Sequence, residues 1–301
     1  MKLFKVIIIS LAVLFFSPFS SNLYSAEMLV GLKVWYTTWS PYVKDVGRDI
    51  AHEEGWEFID GGTGMMYGPS AALMLTDRLS FSVSYLYGEL NANYNAEFNY
   101  DDKGYSYSGS VETRRHDVDF AISYTVFGSF KFFAGFKYQP LQMKNTKKGG
   151  IWILDAGGNK TNSGVCVESS EIEFDQKNYA PGFGIGYSYG VSDFLVFTLN
   201  LSALYFWGTM QVDSKSVYYD VASWSSPQLN EFEFDADVSG YGINIEPGFV
   251  LIAGEKIFVQ IGFRYQRVWI DLEADVPGTD EKVTGITDYL YGVYLSALYK
   301  I

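Results

Sequence analysis

Apolar and polar residues alternate with a period of two through most of the chain. In the stretch 195–207 the odd positions are apolar or aromatic, whereas Thr198, Asn200 and Ser202 lie between them. A period of two predicts β-strands with two chemically different faces. The same alternation predicts ten strands, near residues 29–39, 63–76, 79–91, 111–126, 130–142, 177–190, 194–210, 236–252, 256–271 and 285–301.

The predicted connections are short and long in strict alternation. Short turns fall at 77–78, 127–129, 190–193 and 253–255, and longer loops at 40–62, 92–110, 143–176, 211–235 and 272–284. Antiparallel strands with one short rim and one elaborated rim are typical of outer-membrane barrels, whose turns are periplasmic and whose loops are extracellular. An even number of strands also brings both ends of the barrel to the periplasmic rim.

Aromatic residues on the apolar faces collect at the two ends of the strands. Near one rim these are Tyr87, Tyr138, Tyr179, Tyr205, Trp207, Tyr265, Trp269 and Tyr289, and near the other Tyr124, Tyr187, Tyr189 and Tyr299. Tyr and Trp prefer the boundary between membrane and water. A soluble sandwich crosses no such boundary, so its aromatic residues are not expected to collect at the strand ends. The fold class is therefore expected to be all-β, a ten-stranded antiparallel transmembrane β-barrel with its polar face inside.

Both ends of the chain have sequence patterns typical of targeting signals. Lys2 and Lys5 precede an apolar run at 6–16 that is too short to span a bilayer, which predicts a signal peptide at 1–26 and a barrel domain at 27–301. The final strand contains a glycine, alternating hydrophobic residues and a hydrophobic last residue: Gly292, Val293, Leu295, Ala297, Tyr299 and Ile301. This ending resembles the C-terminal assembly signal of bacterial outer-membrane β-barrel proteins. The resemblance implies a location in the outer membrane and partners that include the barrel-assembly machinery, outer-membrane lipid and lipopolysaccharide.

Charge and cysteine content exclude several classes of function. The chain has a formal net charge of −13, and removal of residues 1–26 takes away two lysines and no acidic residue, which argues against a nucleic-acid partner. Cys166 is the single cysteine, is expected in a loop, and permits no intramolecular disulfide. The acidic loops lack the spaced ligands of a dedicated calcium site, so solvated charge is expected there, and no cofactor or metal.

Nine charged residues are expected on the inner face of the barrel: Lys33, Arg115, Asp117, Asp119, Lys131, Lys137, Glu246, Arg264 and Asp288. One interpretation is a structural network of ion pairs, because unpaired buried charges are costly. The functional interpretation is a porin-like narrow conduit for ions or small solutes. The alternative is a surface scaffold or adhesin that acts through acidic extracellular loops. The stretch 143–176 separates the two, since folded inward it would plug the lumen and folded outward it would form a recognition surface.

Enzymatic activity is not expected. The strand count and the Asp117-x-Asp119 pair resemble the omptin proteases, but the second pair of that family, an Asp with a His on a late strand, is missing. The two histidines are His52 and His116, and His116 faces outward with Glu112 and Arg114 nearby. Some outer-membrane lipid A deacylases carry a lipid-facing Ser–His–acid set, yet no serine lies beside His116. Contact of Arg114 and His116 with lipopolysaccharide phosphates is the expected role.

Overall fold

The computed structural model describes residues 26–40, 62–100, 103–153, 159, 166–220, 228–276 and 279–301. The signal peptide expected at 1–26 therefore falls outside the described residues, except for Ala26. Ten strands are present: β1 (Glu27–Ser40), β2 (Thr63–Met74), β3 (Leu79–Tyr100), β4 (Lys103–Phe127), β5 (Phe130–Ile153), β6 (Cys166–Ser192), β7 (Leu195–Asp220), β8 (Gln228–Ala253), β9 (Ile257–Val276) and β10 (Thr279–Lys300).

The ten strands form one closed barrel in which each strand pairs with its neighbours in the chain. Closure is made by β1 and β10, which are antiparallel from Leu29 opposite Lys300 to Ser40 opposite Tyr289. The last residue continues the ladder, since Ile301 N donates to Met28 O at 3.0 Å. Closure leaves no unpaired strand edge, which is what a sheet in lipid requires.

Tight turns join the strands at the rim where β1 begins and β10 ends. Gly128 and Gly254 lie in two of these turns with φ of 49° and 69°, a left-handed conformation that glycine adopts without steric strain. All four short turns of the sequence prediction are confirmed, at 75–78, 128–129, 193–194 and 254–256.

The outer surface carries a belt of exposed apolar side chains. Leu32, Phe183, Ile261 and Val293 are 64%, 71%, 52% and 51% exposed, and they represent a continuous band around the wall. A soluble protein rarely exposes so large an apolar surface. The belt is therefore the lipid-facing face of a transmembrane barrel. Among the described residues, no helix is long and apolar enough to cross a membrane.

Aromatic side chains border this belt at its outer edge. Tyr138 and Tyr179 stack with ring centroids 5.1 Å apart, and Tyr179 lies 6.2 Å from Trp207 on the next strand. Further round the wall the Arg267 guanidinium carbon lies 4.6 Å from the centroid of the Trp269 ring. This outer girdle marks where the barrel leaves the membrane.

Beyond the girdle the strands continue, which corrects the long loops expected at 92–110, 143–176, 211–235 and 272–284. The two faces exchange character there: on β8, Glu233 and Asp235 are exposed on the outside, whereas Ala236 and Val238 are buried inside. Polar outside and apolar inside is the pattern of a sheet in water, so the charged outer segments are strands as well. Cys166, expected in a loop, is the first residue of β6.

Candidate functional site

The inward-facing charges of β4, β5, β8 and β9 form a continuous chain of ion pairs. Its members in order are Arg115, Asp117, Lys137, Asp119, Arg264 and Glu246, here called the charged layer. Arg115 Nε lies 3.0 Å from Asp117 Oδ1, and Lys137 Nζ lies 3.3 Å from Asp117 Oδ2 and 2.6 Å from Asp119 Oδ1. Arg264 closes the chain across the barrel, with Nη1 3.2 Å from Asp119 Oδ2 and Nε 3.0 Å from Glu246 Oε1.

Alternation of sign makes this buried layer tolerable. The side chains of Arg115, Lys137 and Arg264 are 5%, 5% and 3% exposed, and that of Asp117 is fully buried. A buried charge without a partner is costly, and here every member contacts an opposite charge. Neutral amides complete the layer, since Gln139 Nε2 donates to Asp117 Oδ1 at 3.0 Å.

The other three charges expected in the lumen also face inward but lie outside the chain of ion pairs. Asp288 accepts a hydrogen bond from Trp39 Nε1 at 2.6 Å. Lys33 and Lys131 line a cavity of about 250 Å³ on the periplasmic side of the charged layer. We call this cavity the vestibule.

The interior beyond the charged layer is mainly apolar, with single buried polar residues such as Thr113, Gln176 and Ser214, which corrects the expectation of a polar inner face along the whole barrel. Two clusters of buried residues occupy it and together form what we call the apolar plug. The first consists of Trp35, Trp39, Met66, Leu86, Leu90, Val111, Leu141, Met143, Leu290 and Tyr294. The second consists of Ala180, Phe206, Met210, Val212, Ala236, Val238, Val268, Ile270, Leu272 and Ile286.

All ten strands of the barrel contribute side chains to the apolar plug. Its members come from every strand, and Phe174 of β6 packs against both clusters. Trp35, Met66 and Leu86 have no exposed surface. A close-packed apolar interior excludes water and ions, so the plug separates the vestibule from the extracellular end.

The stretch 143–176 does not enter the lumen where the structure describes it. Residues 143–153 and 166–176 extend β5 and β6 as a paired hairpin, with Lys144 opposite Glu173. Between them, 154–158 and 160–165 lie outside the described residues. The members of the plug are thus residues of the barrel strands.

Outside the outer girdle, β6, β7 and β8 present a surface rich in carboxylates, here called the acidic wall. Its residues are Glu171, Glu173, Asp175, Asp213, Glu231, Glu233, Asp235 and Asp237. Glu173, Asp213 and Glu233 are direct cross-strand neighbours. At one edge Lys144 Nζ donates to Glu171 at 2.6 Å and to Glu173 at 3.2 Å, and these bonds raise the pKa of the Lys144 ammonium.

No metal centre is evident in the described parts of the chain. They contain no group of three or more His, Cys, Asp and Glu residues placed to hold a metal ion. Directly opposed like charges such as Glu173, Asp213 and Glu233 destabilise a sheet in isolation.

Arg114 and His116 lie on the outer face of β4, beside the girdle. Arg114 Nε is 3.5 Å from Glu89 Oε1, and His116 Nδ1 is 2.8 Å from the Tyr85 hydroxyl. The Tyr87 ring lies 4.8 Å from the imidazole, and its hydroxyl donates to Glu89 at 2.9 Å. The partner of His116 is thus a tyrosine, and neither a serine nor a carboxylate. His52 lies outside the described residues.

Comparison with models of known protein families found no match. A search of curated proteins found none either. Solved structures do resemble the barrel. The outer membrane protease OmpT from Escherichia coli has a TM-score of 0.51 at 10% identity, covering 94% of this chain and 99% of that one.

Two further structures are similar over most of the chain. The translocator domain of the autotransporter NalP from Neisseria meningitidis has a TM-score of 0.38 at 9% identity, covering 99% of this chain and 96% of that one. The toluene transporter TbuX from Ralstonia pickettii has a TM-score of 0.32 at 12% identity, covering 96% and 92%. At 10% identity the likeness to OmpT concerns the fold alone. Its closed ten-stranded fold and its lipid-facing belt make this chain a bacterial outer-membrane β-barrel protein.

Proposed function

We propose that this protein is a closed, non-transport barrel that acts as a surface scaffold through its extracellular end. The observation that carries the proposal is the apolar plug, which draws buried side chains from all ten strands. An ion that crossed it would lose its hydration in a close-packed interior where isolated polar side chains, such as Gln176 and Asp288, lie among apolar ones, and this loss is costly. The porin-like conduit, by contrast, needs a polar path along the whole axis.

The outer extension supplies the surface for this role. Paired strands project the acidic wall beyond the girdle, and the β5–β6 hairpin stands outward where it is described. A paired sheet with a buried apolar inner face holds its outer side chains in place. Binding of a partner therefore costs little conformational entropy on this surface. A partner with a cationic surface matches this wall in charge.

Other contacts of the protein are proposed from the same surfaces. Lipid covers the apolar belt, and Arg114 and His116 meet the phosphates of lipopolysaccharide at its outer edge. The last strand serves the barrel-assembly machinery. No catalytic role is proposed, because acid–base chemistry needs a base within hydrogen-bond reach of a nucleophile, and the tyrosine beside His116 is no substitute for the omptin Asp–His pair.

The closed state is tested by conductance in planar bilayers. We expect the folded mature chain, verified by heat-modifiable migration, to show no steady ion conductance because the plug blocks the axis. The Asp117→Asn/Asp119→Asn variant should be equally silent. Steady conductance of the wild type, with a cation preference that falls in this variant, would instead support the conduit.

The scaffold role is tested with a fluorescent oligolysine peptide as the cationic probe. Neutralising Glu173, Asp213 and Glu233 with Gln, Asn and Gln should weaken binding to the barrel in nanodiscs roughly tenfold, because three surface charges contribute about 0.5 kcal/mol each. Fluorescence anisotropy at low and at physiological ionic strength measures the affinity.

The matched control changes the same charge at the opposite rim. Asp77→Asn/Asp193→Asn/Glu255→Gln removes three exposed carboxylates from the periplasmic turns. It should leave oligolysine binding within about twofold of the wild type, since these residues lie beyond a Debye length from the acidic wall. Equal losses in the two variants would mean that only net charge matters and would contradict the proposal.

A further inference from the structure

Two lysines, Lys33 and Lys131, line the vestibule without taking part in the ion pairs of the charged layer. The layer itself contains three cations and three carboxylates, so its charges cancel. Lys33 and Lys131 both line the vestibule, and within the described chain neither has a carboxylate oxygen within 4 Å. Glu246 acts on both electrostatically, but its Oε1 already receives Arg264 and Asn244 at 3.0 Å each.

The two ammonium groups approach the vestibule from different walls. Lys33 belongs to β1 and Lys131 to β5, and these strands are separated by three others around the barrel. Lys33 Nζ lies 4.6 Å from the Tyr294 ring centroid, a cation–π contact that helps to hold the ammonium group in place. Lys131 is the second residue of β5, beside the periplasmic turn at Gly128. A ligand from the periplasm therefore meets positive charge on two sides.

Four members of the charged layer (Asp119, Lys137, Glu246 and Arg264), whose charges cancel, and several uncharged hydrogen-bonding groups complete the lining. The vestibule is lined by the side chains of Ser82, Ser84, Ser123, Ser202 and Asn200. Asn200 Oδ1 is buried without a hydrogen-bond partner. An unpaired buried acceptor is unfavourable and is satisfied by a donor hydroxyl on a ligand. Hydroxyl donors, an acceptor and two ammonium groups are the complement of a partly protonated oxyanion.

A glycine makes room for this arrangement. A Cβ built at Gly186 would lie 2.8 Å from Asn200 Oδ1 and 2.8 Å from Lys131 Cγ. Any larger residue would displace one of the two groups. Gly186 thus keeps Lys131 and Asn200 together at one side of the vestibule.

We propose that the vestibule binds a small oxyanion of the hydrogen phosphate class between Lys33 and Lys131. The two ammonium groups neutralise it, the serine hydroxyls donate to its oxygens, and its own hydroxyl donates to Asn200. The cavity of about 250 Å³ holds such an anion with a few waters and is smaller than sites for drug-sized ligands. This site lies on the opposite side of the charged layer from the acidic wall and does not rest on the proposed surface function.

The test is calorimetric titration of inorganic phosphate into the full barrel in nanodiscs at constant ionic strength. We expect saturable binding at one site by the wild type and a loss of at least roughly tenfold in affinity in Lys33→Met/Lys131→Met. Sulfate, which has no hydroxyl at neutral pH, should bind more weakly than phosphate. A wild type that takes up no phosphate, or a variant that binds it equally well, would overturn the proposal.

Two further variants separate the site from general effects. Lys177→Met/Lys215→Met changes the net charge equally at exposed outer positions and should leave phosphate affinity unchanged. If the double methionine variant fails to fold, Lys131→Gln keeps a polar end beside the periplasmic turn and should still weaken binding. Equal weakening in the Lys177/Lys215 variant would mean that net charge alone accounts for the loss of phosphate affinity, and it would also overturn the proposed site.

Discussion

Replacing Arg264 by Met is expected to lower the free energy of unfolding by about 3–5 kcal/mol, the effect of removing one partner of a buried ion pair. Arg264 is the member of the charged layer that spans the barrel, and it contacts both Asp119 and Glu246. Without it these two carboxylates lose their shared countercharge inside the barrel. Urea unfolding in lipid vesicles, followed by tryptophan fluorescence, measures the loss.

Two comparisons isolate the cause. Lys215→Met removes an exposed lysine whose Nζ lies 3.7 Å from Glu231, and it should change stability by less than about 1 kcal/mol. Adding Asp119→Asn and Glu246→Gln to Arg264→Met removes the stranded charges and should recover much of the loss. A triple variant as unstable as Arg264→Met alone would mean that lost packing, and not unpaired charge, sets the effect.

The lipid-facing half of the fold could be predicted because lipid imposes one rule on every outward residue. On β7 each odd position from Leu195 to Trp207 is apolar, and the structure places this face outward. The strand count, the short turns and the pairing of the last strand with the first follow from the same alternation. They are confirmed by the closed order of the ten strands.

The outer extension was missed because the alternation inverts there without stopping. On β8, Glu231, Glu233, Asp235 and Asp237 alternate with Phe232, Phe234, Ala236 and Val238, a strand pattern in which the polar face is the outer one. Dense charge is typical of loops, although here it alternates with apolar residues. The apolar plug has a different origin: only Met143, Val212 and Leu272 of its members lie in the stretches expected as loops, and the others are inward-facing residues of the predicted strands.

Contacts across the barrel could not be read from the alternation at all. Strand neighbours could be inferred, and Lys137 does lie beside both Asp117 and Asp119. Arg264 and Asp119 are 145 residues apart and meet only because the barrel is narrow. Strand tilt and shear decide such meetings, and a pattern of period two carries no information about either. The same limit applies to Lys131: the alternation places it on the inner face, but only the structure shows that it lines the vestibule opposite Lys33.

Replacing Trp35 by Ala is expected to cost about 3–5 kcal/mol of the free energy of unfolding, as for large aromatic residues in packed cores. The Trp35 side chain has no exposed surface and belongs to the first cluster of the apolar plug. The Arg264 guanidinium carbon lies 4.9 Å from its ring centroid, so the indole also covers the charged layer. Its removal leaves a cavity at the boundary between charged and apolar layers, and urea unfolding in vesicles measures the cost.

Trp35→Phe is the matched control, because Trp35 Nε1 is buried without a hydrogen-bond partner and Phe removes this unsatisfied group while it keeps an aromatic ring. The cost of Trp35→Phe should be below about 1.5 kcal/mol. Both variants should remain silent in planar bilayers, since Trp39, Leu86 and Leu290 still close the axis beyond position 35. If Trp35→Ala instead conducts, the plug is a single layer at Trp35, and a modest movement of one side chain would then open the barrel.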